Sequence, residues 1–234
     1  MSRQVNMSTG MDPIRNTSEG WVRKFVPERR IFTGSAYLFA KRLFDLTLTI
    51  LTAPFWIPLM VVIALIIRIT SPGAPALFTQ LRTGRGGKRF RMYKFRSMVP
   101  NAEELKQTYM HLNELQWPDF KITNDPRITK IGKILRKTSL DEIPQLLNVL
   151  KGEMSLVGPR PTSFGSETYK LWHTERLDVT PGLTGLWQIL GRAQLEFDDR
   201  LRLDITYIER AGLWFDICIL FMTVLAVFKQ RGAH

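Results

Sequence analysis

Residues 46–67, LTLTILTAPFWIPLMVVIALII, carry no charged side chain. Their length matches the roughly 20 apolar residues that a bilayer-spanning helix needs. On length alone, one straight transmembrane helix is the plain expectation. Two features speak against it. Pro54 and Pro58 stand near the middle. Each removes an amide donor and crowds the carbonyl four residues back, which predicts a bend. Positive charge also flanks both ends: Lys41 and Arg42 come before the segment, and Arg68, Arg82, Arg85, Lys88, Arg89, Arg91, Lys94 and Arg96 follow it. Basic residues prefer the cytoplasmic side, so a straight span strands one cluster on the wrong face. A helix that bends and returns by the same face keeps both clusters together. The reading is therefore a re-entrant helix–break–helix over residues 39–70, with Pro58 as the bend. Carbonyls freed by the bend need donors inside lipid, and Thr47, Thr49 and Thr52 are at hand. Arg42 and Asp45 stand at helical spacing for a mutual ion pair.

The rest of the chain divides around this segment. Residues 1–38 are polar, with no signal-peptide-like apolar stretch, and read as a tail. Residues 71–234 read as an α/β domain. A β-hairpin is expected over 76–96, turning at Gly84-Arg85-Gly86-Gly87. A short polar helix is expected over 101–115. Ile143, Leu146, Leu147 and Leu150 make one apolar helix face, which ends at Gly152. Glycine- and proline-rich loops follow at 157–165 and 181–192, and another helix over 194–211. Leu213 to Phe228 is apolar but holds Asp216, with Lys229 and Arg231 behind it. It suits a helix lying in the membrane interface, or an ordinary core helix.

Composition narrows the partners. Thirty-three lysines and arginines against 21 acidic residues give a net charge of +12. That balance favours anionic lipid, phosphorylated substrates or nucleic acid. Nucleic acid is the least favoured, because the basic residues gather beside the apolar segment. Cys218 is the single cysteine, so no internal disulfide forms, and three histidines argue against a histidine-rich metal site.

The sharpest local feature is Ser139-Leu140-Asp141-Glu142-Ile143-Pro144. Proline belongs in the first turn of a helix, so Pro144 places the helix start near Asp141. A helix start offers free amides and partial positive charge, which suit a phosphate or an ionised carboxylate nucleophile. Ser139-x-x-Glu142 also matches a capping box, which needs no function. Arg160, in Gly158-Pro159-Arg160-Pro161, and Arg192, after Gly191, stand on rigid loops and could grip a phosphate bidentately. Asp204 lies on a helix among arginines, where a solvated charged face is the plain reading.

Taken in order, these blocks resemble one family. Lys41-Arg42 with Asp45, Phe78-Thr79-Gln80-x-Arg82 with Gly84, and Lys94-Phe95-Arg96-Ser97-Met98 open the pattern. Ser139-Leu140-Asp141-Glu142, Gln145-Leu146 and Asn148-Val149-Leu150-Lys151-Gly152 follow. Ser155 to Pro161, Pro181 to Gly185, Gly191-Arg192, Asp204 and Tyr207 complete it. The chain resembles the bacterial sugar transferases, the monotopic phosphoglycosyl transferases, over about residues 40–230. The family's membrane helix usually breaks at a Ser-Pro pair, whereas Ile57 precedes Pro58 here.

The resemblance implies an enzyme at the cytoplasmic face of the bacterial inner membrane, moving hexose-1-phosphate from a UDP-sugar to undecaprenyl phosphate. Asp141 is implied as nucleophile, forming an aspartyl phosphosugar and releasing UMP. Mg²⁺ is implied at Asp141 and Glu142, with Glu142 as ligand or as an aid to the acceptor. Lys94, Arg96, Arg136, Arg160, Gln188, Arg192 and Asp204 are implied around the substrates. The stretch from Phe120 to Arg136 is closer to members that take glucose or galactose than to those that take a diacetamido sugar. A homo-oligomer is left open. Two other readings stand beside this one: a non-enzymatic basic protein that binds anionic lipid and recruits a partner, and a single-span transferase using direct displacement.

Overall fold

A computed structural model describes residue 22 and residues 34–114, 122–163, 165, 171–190 and 197–228. Most of the expected tail, Arg192, and the basic flank Lys229 and Arg231 lie outside the described residues.

Two helices form the arm: α1 (Gly34–Leu51) and α2 (Ala53–Thr70). They meet at Thr52, which corrects the expected bend at Pro58. Pro54 falls at the very start of α2, where a missing amide costs little, and Pro58 lies inside α2. Pro54 has already begun a new helix, so the interruption is relieved upstream of it. The Thr52 hydroxyl donates to the Leu48 carbonyl at 2.7 Å and the Thr49 carbonyl at 3.2 Å. The Trp56 indole N–H adds a bond to the Thr49 carbonyl at 3.0 Å. Thr52 thus does the work expected of the threonines, whereas the buried Thr49 hydroxyl has no partner among the described residues.

Among the described residues, α2 is the one helix long and apolar enough to cross a membrane, by length and composition, with mean hydropathy 2.1. Both ends of the arm touch the same body. Arg42 donates to the Val149 and Leu150 carbonyls at 2.6 and 2.9 Å, while Asp45 accepts from the Leu156 amide at 3.2 Å. The expected Arg42–Asp45 pair is therefore replaced: each side chain satisfies a backbone group on the body. Ile63 and Ile67, near the far end of α2, pack with Ala76, Phe95 and Leu135.

The hairpin is antiparallel. β1 (Leu77–Thr83) pairs with β2 (Arg89–Phe95), from Leu77 opposite Phe95 to Thr83 opposite Arg89. The polar helix is short, α3 (Glu104–Thr108). Thr129 caps α4 (Lys130–Lys137) by accepting from the Gly132 amide at 3.0 Å. Gly132 presses against Ser97, where a Cβ would come within 1.9 Å of a backbone oxygen.

A 3₁₀ turn, Leu140–Gln145, runs into α5 (Leu146–Lys151), which stops at Gly152 in the left-handed conformation. The buried face differs from the expected apolar one. Pro144, Gln145, Asn148 and Val149 are buried, while Ile143, Leu146, Leu147 and Leu150 are half-exposed. Asn148 can be buried because its amide is fully used. It accepts from the Tyr93 amide at 3.0 Å and donates to the Arg91 carbonyl at 2.8 Å and to Glu153 at 2.7 Å. It thereby fastens α5 to β2.

Two short parallel strands, β3 (Ser155–Val157) and β4 (Gly182–Thr184), lie side by side. Gly158 and Gly182 cross so closely that a Cβ on Gly182 would meet the Gly158 nitrogen at 2.1 Å. α6 (Leu186–Leu190), α7 (Phe197–Arg210) and α8 (Leu213–Phe228) close the core. Met154, Val157, Leu186, Leu203, Tyr207, Phe215 and Ile219 fill it. α8 is a core helix on one face, with Phe215 and Ile219 buried, while Trp214, Phe221 and Val224 are exposed on another. Asp216, fully buried, takes Lys41 at 2.8 Å and the Tyr207 hydroxyl at 2.7 Å, and so ties α1 to α8.

Candidate active site

The local chain around Asp141 is not a capped helix start. Ser139 has φ 58°, in the left-handed region, and its side chain makes no cap bond. The capping box is therefore not formed, and Glu142 is free to turn elsewhere. It meets two cations. Lys94, near the end of β2, reaches Glu142 at 2.8 Å. Arg160 faces it with both terminal nitrogens, one of them at 3.3 Å and the other closer. The Lys94 ammonium is 4.0 Å from Asp141. Arg136, in the last turn of α4, is anchored to the Ser97 hydroxyl at 2.9 Å and acts on Asp141 through its charge.

The two neighbouring carboxylates are held differently. Burial pushes Glu142 up, but Arg160 and Lys94 outweigh it and hold the carboxyl below its ordinary range. Burial also pushes Asp141 up. The Glu142 charge adds to that, while Lys94, Arg136 and Arg160 pull back without cancelling it, so its value stays raised. Glu142 is thus an ionised anchor for two cations, and Asp141 is the carboxylate with capacity to spare. Perturbed, buried carboxylates beside convergent cations suit chemistry on an anionic substrate.

The structure brings Lys94, Arg136 and Arg160 to Asp141 and Glu142. Other expected residues stand apart. Arg96 is buried and donates to the Ser71 carbonyl at the end of α2. Gln188 turns back on its own loop, donating to the Leu183 carbonyl at 3.4 Å. Asp204 is buried in α7 rather than on a solvated face, and pairs with Arg176 at 2.7 Å.

Arg176, in a 3₁₀ turn over Leu171–Asp178, was not among the residues expected from sequence. It donates to the backbone carbonyl of Arg160. The signal for it was indirect: a buried Asp204 needs a cation, and Arg176 stands just ahead of the Pro181-Gly182 loop.

No group of three or more His, Cys, Asp or Glu side chains suited to a metal occurs among the described residues. The adjacent Asp141 and Glu142 still suit Mg²⁺, which commonly takes one or two carboxylates and draws its other ligands from substrate phosphates and water.

A family model described as bacterial sugar transferase matches residues 36–230. The galactosyl transferase CpsE of Streptococcus agalactiae is 46% identical over 204 residues, covering 86% of this chain and 45% of the relative. An undecaprenyl-phosphate galactose phosphotransferase of Salmonella typhimurium is 46% identical over 201 residues, covering 84% of this chain and 42% of its own. The chain thus spans less than half the length of these two relatives. The exopolysaccharide production protein ExoY of Rhizobium meliloti is 36% identical over 215 residues, covering 90% of this chain and 95% of its own.

Proposed function

The chain belongs to the bacterial sugar transferase family, and from that premise we propose that it moves hexose-1-phosphate from a UDP-sugar to undecaprenyl phosphate. The observation that carries the reading is the division of labour in the dyad. Glu142 is neutralised by Lys94 and Arg160, and Asp141 stands next to the same cations without being consumed by them.

In the first step an Asp141 carboxylate oxygen attacks the sugar-bearing β-phosphorus. The bond from that phosphorus to the bridging oxygen breaks, and UMP leaves with the electron pair. Lys94, Arg136 and Arg160 offset the negative charge that gathers there, which is the main task in phosphoryl transfer. In the second step an oxygen of the polyprenyl phosphate attacks the same phosphorus. The Asp141–phosphorus bond breaks, and polyprenyl-diphosphate-sugar leaves. Neither nucleophile needs a proton removed when ionised, so Glu142 serves as a fixed charge rather than a base. Mg²⁺, held by Asp141 and Glu142 together with substrate phosphates, would supply further neutralisation of the diphosphate.

The arm fits a lipid-borne acceptor. Lys41, Arg42 and Asp45 at one end and Ile63 and Ile67 at the other all pack on the same body. We read it as a re-entrant hairpin that dips into the inner membrane and returns to the cytoplasmic face. The dyad then sits where a polyprenyl phosphate headgroup lies.

The test is UMP release by the detergent-purified chain with Mg²⁺, undecaprenyl phosphate and a panel of UDP-sugars. Release with one sugar, lost in Asp141→Ala, supports the reading. No UMP with any sugar from folded protein would overturn it and favour a lipid-binding scaffold.

A further inference from the structure

The Arg160 loop is held by more than its own sequence. On one flank the hairpin grips it: the Thr83 amide donates to the Thr162 carbonyl at 3.0 Å, and Arg89 to the Ser163 carbonyl at 3.0 Å. Behind it, the Gly158 amide donates to the Thr184 carbonyl at 2.9 Å. On the remaining flank a single guanidinium does two jobs. The same nitrogen of Arg176 donates to the Arg160 carbonyl and lies 2.7 Å from the Asp204 carboxylate. Both side chains of that pair are almost wholly enclosed, at 6% and 2% exposure. A buried ion pair contributes little net stability compared with apolar packing, so its retention here calls for another reason. What Arg176 touches supplies that reason: the backbone of the residue whose side chain neutralises Glu142 beside Asp141.

We propose that Arg176 and Asp204 are positioning residues that fix the Arg160 backbone, so that its guanidinium meets Glu142 at the reacting dyad. This assignment rests on the transferase reading and deepens it. It also gives Asp204 a role at one remove from substrate. Asp204 holds Arg176 in place, Arg176 holds the Arg160 carbonyl, and Arg160 holds Glu142.

The chain of contacts has a pH consequence. Burial pushes Asp204 up to about 6, against the charges of Arg176 from the facing turn and Arg200 from its own helix. As pH falls through that value Asp204 becomes neutral, its attraction for Arg176 weakens, and the hold on the Arg160 loop loosens.

The experiment uses the full chain in detergent, assayed for UMP release. Arg176→Lys keeps a cation opposite Asp204, so it should fold, but its shorter side chain ends before the terminal guanidinium nitrogen that meets carboxylate and carbonyl together. We expect kcat to fall at least about tenfold, with KM for the UDP-sugar within about threefold, because a small misplacement of a charge costs rate more than binding. Asp204→Asn should lose kcat in the same way, and the fall in wild-type rate centred at about 6 should be absent from it. If Asp204→Asn does not fold, Arg176→Lys decides alone.

Hydrogen exchange over residues 157–163, without substrate, gives a readout separate from activity. Faster exchange in Arg176→Lys is expected, with the rest of the fold unchanged. Wild-type kcat and wild-type exchange in a folded Arg176→Lys would overturn the proposal. If wild-type protein releases no UMP from any UDP-sugar, the transferase reading fails, and the exchange result still decides whether Arg176 holds the loop.

Discussion

The arm and the body differ most in what they leave exposed. In the body, Met154, Val157, Leu186 and Ile219 are enclosed, and so is the Arg176–Asp204 ion pair. In the arm, Asp45 and Thr49 are enclosed, at 3% and 1% exposure, while Phe55 and Ile69 are each 79% exposed. A contiguous exposed apolar surface of this kind marks contact with a membrane or partner. Asp45 is inside because it clamps the body, accepting from the Leu156 amide. On the re-entrant reading proposed above, the outer face of the arm has lipid as its solvent, while its inner face serves as scaffold for the dyad. Arg42 caps the helix that follows Asp141, and Asp45 fixes the strand that leads to Arg160.

The largest expected effect lies in the body. Asp141→Asn should lower UMP release by roughly a thousandfold or more, as loss of a nucleophile does, and leave vesicle binding unchanged. The pH dependence sharpens this. Asp141 must be ionised to attack, and its folded value is raised, so the rate should begin to fall at a higher pH than an ordinary aspartate dictates. The linkage runs the other way for stability. A carboxyl raised in the folded state contributes stability that is present below its unfolded value and lost as pH rises through the folded one. Melting temperatures across that window, for wild type and Asp141→Asn, check the sign: the wild type should lose stability with rising pH relative to the variant.

The next effect lies in the arm. Phe55→Asp and Ile69→Asp put a charge on the lipid face, at a cost of about 2.5–3.5 kcal/mol for one deep in the bilayer. Vesicle flotation should fall, while UMP release in detergent stays within about threefold. Unchanged flotation would break the comparison.

Arg42→Gln tests the clamp that joins the two regions. Losing two charged hydrogen bonds to backbone carbonyls should cost about 1.5–3 kcal/mol, read from denaturant unfolding, and should lower UMP release as well. The smallest effect is expected for Thr52→Val, about 0.5–1.5 kcal/mol, because its hydroxyl covers carbonyls at the break that lipid cannot.

The legible parts of the fold were those set by local chemistry. The hairpin followed from its strand-like runs and glycine turn, and the end of α5 from Gly152. What escaped depended on partners distant in sequence. The break is an exception: two prolines competed for it, and it fell at Thr52, just ahead of Pro54, where the Thr52 hydroxyl and the Trp56 indole cover freed carbonyls. Asn148 displaced leucines from the buried face of α5, because a buried amide is acceptable when its bonds are met by another strand. The same holds for the site. Arg160 was readable from its rigid loop, while Lys94 and Arg136 were named only through the family resemblance; the structure brings all three to the dyad. Arg96 was drawn away to the end of α2, Gln188 to its own loop, and Asp204 into α7. Arg176 carried no motif of its own, since its role exists only once Asp204 and the Arg160 loop are brought together.

The most direct test of the central claim is a trap for the covalent intermediate. The purified chain is mixed with the UDP-sugar that supports turnover, without polyprenyl phosphate, and followed by UMP release and intact-protein mass. The account predicts close to one UMP per chain, together with the added mass of one sugar phosphate. That mass should lie on the peptide carrying Asp141 and be discharged when polyprenyl phosphate is added. UMP that appears only when acceptor is present, with no added mass on the protein, would contradict it and point to direct displacement.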